Sequence, residues 1–202
     1  MTSGADILTG MSKHRIEALS DGIYAIAFTL AMLNIGVGDL AGGTPAGTLH
    51  PGLFGLAPQM LHYAIAFFTP GAFWIGHTQQ FHSVRQVDRG FLWWNILSLL
   101  CVGLLPFSTS LVGDYSSSPY AVSVFALNMC AIGSFNALGW RHALAVPLTD
   151  PERDADRAAG SLRRTLVIPV LSLAVIGVAF VASSYATLVY LAAPLVLARL
   201  RR

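Results

Sequence analysis

TLVIPVLSLAVIGVAFVASSYATLVYLAAPLVLA, residues 165–198, runs for 34 residues without a charge. As one α-helix it would be about 50 Å long, well beyond a hydrocarbon core of about 30 Å even with strong tilt. The stretch is therefore predicted to be two short membrane helices folded back at Ala182-Ser183-Ser184-Tyr185. Working outward, four further charge-free windows are each long enough for one span: 22–38, 53–76, 91–113 and 115–140. The prediction is an all-α membrane protein, 1–202 forming a single domain of six transmembrane helices. The spans are set at about 15–37, 53–77, 90–112, 117–141, 164–182 and 185–199.

The composition supports a bilayer as solvent. Of 202 residues, 54% are hydrophobic and 11% charged, and the mean hydropathy is +0.62, whereas a soluble domain carries about a quarter charged residues. Basic residues give an independent check, because Lys and Arg collect in cytoplasmic loops. Lys13 and Arg15 precede span one, and Arg85 and Arg89 lie between spans two and three. Arg141, Arg153, Arg157, Arg163 and Arg164 lie between four and five; Arg199, Arg201 and Arg202 follow span six. These are all 12. A five-span count would strand the last three on the opposite side, so both termini are expected in the cytoplasm, with the chain multi-pass in the inner (plasma) membrane.

A net charge of +2 with dispersed basic residues argues against nucleic-acid binding. Cys101 and Cys130 have neither the number nor the spacing of a disulfide framework or a zinc site. No cleavable signal sequence is evident, so span one is expected to direct insertion. The connection 39–52 is rich in Gly, Thr and Pro. The segment 147–161 alternates acidic and basic residues and reads as a solvated surface.

Span one carries the sharpest chemical signal: Arg15-Ile-Glu17-Ala-Leu19-Ser20-Asp21-Gly22, then Ile26, Thr29, Leu30 and Leu33. An ionisable group at the edge of the hydrocarbon must be paired or wetted. Two readings of Ser20 and Asp21 stand side by side. Either one caps a helix beginning at Gly22, or they join a buried cluster with Arg15, His77 at the cytoplasmic end of span two, and Asn95 in span three. Further along, Gly22, Ile26, Thr29, Leu33 and Gly36 recur at three- and four-residue steps and share one face, with Leu30 beside them. That face is either packing or the wall of a path. His77 and the tryptophans at 74, 93 and 94 also fit an interfacial belt, and His62, deep in span two, reads as a packing residue. Pro70, Pro106, Pro169 and Pro194 fall within spans and are expected to kink them.

The run Arg15-x-x-x-Leu19-Ser20-Asp21, followed by Ala25-Ile26-Ala27 and Thr29-Leu30, resembles the Arg-x-x-x-Phe-Ser-Asp hallmark of the transmembrane protein 175 family of potassium channels. Leu19 stands where the family has Phe. Phe73-Trp74-x-x-His77, Trp94 and Pro106-Phe107 are similar to the same family, so the likeness spans about residues 15–110. It implies a homotetramer whose first helices line one central pore. It also implies a constriction of apolar side chains five, nine and twelve residues after the hallmark Asp, with a Thr eight after it. On this chain those are Ile26, Leu30, Leu33 and Thr29, with potassium passing near Ile26, Thr29 and Leu33. No carbonyl filter of the Thr-Val-Gly-Tyr-Gly type occurs.

The expected function is thus a potassium-permeable cation channel that conducts passively through a hydrophobic constriction, with no enzymatic activity, cofactor or bound metal. Its partners would be other copies of itself, the lipid bilayer and potassium ions. Within it, Arg15, Ser20, Asp21, His77 and Asn95 would form a structural polar cluster rather than touch the ion. A secondary transporter or proton-coupled membrane carrier is the alternative. It would call for inverted repeats, and none is evident. A haem protein would need paired axial ligands from His62, His77, His82 and His142, of which only His62 is predicted to lie deep.

Overall fold

The computed structural model describes residues 13–33, 57–146, 148–149 and 160–200. The connection 39–52, most of the charged segment 147–161, and the side chains of Leu33 and His62 lie outside the described residues. Helix α1 is Lys13–Leu33 and α2 is Ala57–Ser83. Then come α3, Arg89–Gly103, and α4, Leu105–Asp114, separated by a turn at Leu104. Helix α5 is Pro119–Ala145; α6, Val167–Ala186, leads through a 3-10 turn at Thr187–Ala192 into α7, Ala193–Arg199.

The long charge-free stretch folds back where the sequence suggested. Ala182 leaves helical geometry (φ −149°, ψ 65°), and the Ser172 hydroxyl meets the Tyr190 hydroxyl at 2.9 Å although 18 residues separate them. A continuous helix would hold these residues about 27 Å apart. Leu197 accordingly lies alongside Ile168 and Thr165. Among the described residues, three helical stretches are long and apolar enough to cross a membrane: Arg89–Asp114, Pro119–Ala145 and Gly160–Arg199, the last being this hairpin.

Pro106, Pro169 and Pro194 each follow a local break in their span, at Leu104, at Leu166 and at the 3-10 turn Thr187–Ala192, as expected of prolines that kink a span. Pro70 lies inside α2 without such a break.

Helix α5 is the hub, packing most extensively on α6 and α3. Its buried face, Val122, Phe125, Ala126, Met129 and Ile132, anchors the larger apolar core. At Gly133 a Cβ would come within 2.5 Å of Pro169 and 2.7 Å of Phe73, so glycine is what lets α5, α6 and α2 meet there.

A second, smaller core lies at the other end of α5. Ile16, Phe81, Val84, Val87, Phe91, Trp140, Ala143 and Leu148 form it. It is sealed by an isolated antiparallel bridge, Val84 with Thr149, and by the Arg85 N–H donating to the Leu148 carbonyl at 2.8 Å. Asp88 caps α3 by accepting from the Phe91 N–H at 2.8 Å. Its second oxygen lies 2.8 Å from His142 Nε2, tying the start of α3 to the end of α5. Gly90 leaves room for that imidazole. Many large apolar side chains point outward instead, Val170, Leu173, Phe180 and Val181 on α6 among them, as a protein solvated by lipid or by further copies requires.

Candidate functional site

Helix α1 begins at Lys13, seven residues before Ser20, so neither Ser20 nor Asp21 caps it. The capping alternative is thereby corrected. The helix runs through both residues because each finds a partner from within the helical surface. Ser20 is fully buried and donates to the Ile16 carbonyl one turn back at 2.9 Å. Asp21 accepts from the Trp74 indole N–H of α2 at 2.8 Å.

Ser20 also ends a directional chain of side chains. His77 Nε2 lies 2.8 Å from Asn95 Oδ1; an amide oxygen only accepts, so the ring nitrogen carries the proton. Asn95 Nδ2 then donates to Ser20 Oγ at 3.3 Å, whose own proton goes to Ile16. All three side chains are buried, and aligned donors of this kind polarise one another in a low-dielectric interior. Adjacent residues on α1 therefore reach two different helices, Ser20 to α3 and Asp21 to α2.

The structure thus brings Ser20, His77 and Asn95 together and places Asp21 beside them through Trp74. Arg15 is exposed, and no ion pair joins it to Asp21 among the described residues. Trp74 as the partner of Asp21 was not legible in the sequence; the only hint was its position one turn before His77.

Two faces of α1 follow from this anchoring. Ile16, Ser20, Tyr24, Ala27 and Ala31 are buried against α2, α3 and α4. Tyr24 is only 1% exposed, and its ring centroid lies 5.8 Å from that of Phe28 and 6.1 Å from that of His77. The other face is open in the single chain. Ile26 is 62% exposed, Leu30 45% and Leu19 54%; Thr29 and Gly22 are exposed beside them. Leu33 closes α1 in sequence. The Thr29 hydroxyl donates to the Ala25 carbonyl at 2.8 Å, so its proton is committed and its oxygen is left to the outside as an acceptor. Among the described residues there is no group of three or more His, Cys, Asp or Glu able to hold a metal ion, and both cysteines are free thiols.

An apolar, outward face on the helix that carries the charged hallmark is what comparison with known proteins has to account for. Residues 15–106 match the family described as the endosomal/lysosomal potassium channel TMEM175. A Streptomyces collinus protein named potassium channel B446_29190 is 34% identical over 174 residues, which cover 84% of this chain and 83% of that protein. The chain belongs to the TMEM175 family. The solved crystal structure of a lysosomal potassium-selective channel TMEM175 homolog from Chamaesiphon minutus superposes with a TM-score of 0.77 at 27% identity, covering 94% of this chain and 98% of that one. The rat endosomal/lysosomal proton channel TMEM175 is 34% identical over 119 residues, 56% of this chain but 24% of the rat protein. With its apolar helices, this TMEM175 chain is a multi-pass membrane protein of a channel family, not of an enzyme family.

Proposed function

We propose that this chain is the subunit of a potassium-permeable cation channel that conducts passively, and that four copies surround one pore lined by α1. Each subunit crosses the inner membrane six times over about 15–37, 53–77, 90–112, 117–141, 164–182 and 185–199, with both ends in the cytoplasm. The observation that carries the reading is the split of α1. One face is fixed to its own subunit through Ser20, Tyr24 and Ala27, while the opposite face offers Ile26, Leu30 and Thr29 to something outside the subunit. Kinship with proteins named potassium channels supplies the permeant ion.

The physics of such a collar is simple. Rings of Ile26, Leu30 and Leu33 around an axis are too apolar to hold water firmly, so an ion crossing them gives up part of its hydration shell. Sodium binds its water more tightly than potassium and pays more. Thr29, whose oxygen is left as an acceptor, replaces some of the lost water ligands between the collars. No resident metal or cofactor is required. Arg15, Ser20, Asp21, His77 and Asn95 hold the helix or border it, away from the ion.

Potassium flux from liposomes holding the purified protein, compared with Ile26→Asn and Leu33→Asn, tests this reading. Passive, non-saturating flux is expected, and either polar substitution should raise it or erase the preference for potassium. Flux unchanged in both variants would put the path elsewhere. Saturable flux coupled to a second ion would favour a transporter.

A further inference from the structure

Beside His77, the subunit holds a feature the conduction mechanism does not use. Between the end of α2 and residues 160–165 lies a cavity of about 180 Å³ whose polar lining includes Gln80, Ser161, Arg164 and Thr165. Gln80 Nε2 donates to Thr165 Oγ1 at 2.8 Å, and Thr165 donates to the Ser161 carbonyl at 3.0 Å. Arg164 Nε is buried and has no hydrogen-bond partner among the described residues. No Asp or Glu is among the described lining residues. A guanidinium N–H buried without an acceptor is costly, and its fork geometry suits a phosphate.

This cavity runs into a larger apolar groove of about 550 Å³ between α2 and the α6–α7 hairpin. Ala72, Ile168 and Leu197 line both; Phe68 and Leu191 extend the groove. The polar end carries Arg164, with Arg163 next to it in sequence, in a connection expected on the side where basic residues face the cytoplasmic leaflet. A cationic polar pocket opening into a greasy channel matches one amphiphile in charge and shape. Basic pockets between membrane helices recurrently hold anionic lipid headgroups.

We propose that this cavity and groove form a binding site for one anionic phospholipid, its phosphate on Arg164 and its acyl chain between α2 and the hairpin. The site does not depend on conduction, so it stands or falls by binding alone.

The purified assembly would be titrated with phosphatidylglycerol or phosphatidylcholine of equal chain length and the retained lipid counted by native mass spectrometry. Phosphatidylglycerol should be held in preference. Arg164→Gln should lower its retention by about fivefold, as expected for one well-placed cation, while Arg163→Gln, on an exposed neighbour, should change little. A photoactivatable phosphatidylglycerol on the wild-type protein should label residues 161–168 or 190–198, which decides the matter even if Arg164→Gln does not assemble. Soluble glycerol phosphate should not compete. Equal loss in both arginine variants, labelling elsewhere, or no preference for the anionic lipid would overturn the proposal. So would displacement by glycerol phosphate, the mark of a small-anion site, or disulfide cross-linking of Leu191→Cys between copies, the mark of a groove covered by protein.

Discussion

Replacing Asn95 by leucine keeps the branched outline of the side chain but removes the central link of the chain His77, Asn95, Ser20. The bonds lost are one of 2.8 Å from His77 and one of 3.3 Å to Ser20. Ser20 keeps its bond to Ile16, so its share of the loss is small. His77 is left with a buried donor, which costs about 1–3 kcal/mol. Interhelical hydrogen bonds in membrane proteins average ~0.6 kcal/mol and reach ~1.7, so the lower half of that range applies. Asn95→Leu should therefore cost about 1–2 kcal/mol, and Ser20→Ala about 0.5 kcal/mol. For a chain of this size that is a fall in Tm of about 2–8 °C for Asn95→Leu, read by thermal unfolding of the purified assembly. Replacing His77 by phenylalanine as well should recover part of the loss, because no polar group is then stranded. Selectivity between potassium and sodium should stay at the wild-type value, since these groups meet α1 at Ser20, on its buried face and away from Ile26. A changed ion preference at unchanged stability would refute the reasoning, for it would mean that the chain faces the permeant path.

Three further expectations rest on single contacts. Gly133→Ala should destabilise by about 1–2 kcal/mol net of its gain in helix propensity, because its Cβ meets a rigid proline ring, whereas Gly177→Ala, with open space around it, should be neutral or gain up to ~1 kcal/mol; the same unfolding assay compares them. Thr29→Val preserves shape and removes only the outward oxygen, so bi-ionic potentials should report a potassium preference reduced by about 2- to 10-fold with assembly intact. Asp88→Ala should cost about 1–2 kcal/mol through the lost cap on α3 and the lost contact to His142, and Asp88→Asn, which still caps, distinctly less.

Much of the architecture was written in the distribution of charge. The return of the last stretch could be inferred because no bilayer is thick enough for its length, and the break fell at Ala182, the first residue of the predicted turn. The beginning of α1 was harder. Arg15, Glu17, Ser20 and Asp21 look like the polar approach to a helix, yet they are part of it, since Trp74 and Asn95 supply partners that only the folded chain brings near. The break at Leu104 was foreshadowed by Pro106, whose ring interrupts the helix within one span, though its exact position was not. The stripe Ile26, Thr29 and Leu30 was legible as a face from its spacing alone. Its outward direction was not, because periodicity says which residues share a side and never which side meets the subunit. The pairing of Arg164 with a cavity depends on how residues 160–165 pack against α2, a contact between residues some eighty positions apart that no local pattern encodes.

Thiol accessibility at Ile26 reaches the central claim most directly. In a background carrying Cys101→Ala and Cys130→Ala, potassium current through Ile26→Cys should be blocked by a water-soluble, membrane-impermeant thiol reagent. Current through Val181→Cys, exposed next to the hairpin turn and outside α1, should be unchanged by the reagent. Full current persisting through Ile26→Cys after exposure from both sides of the membrane would contradict a pore lined by the first helix.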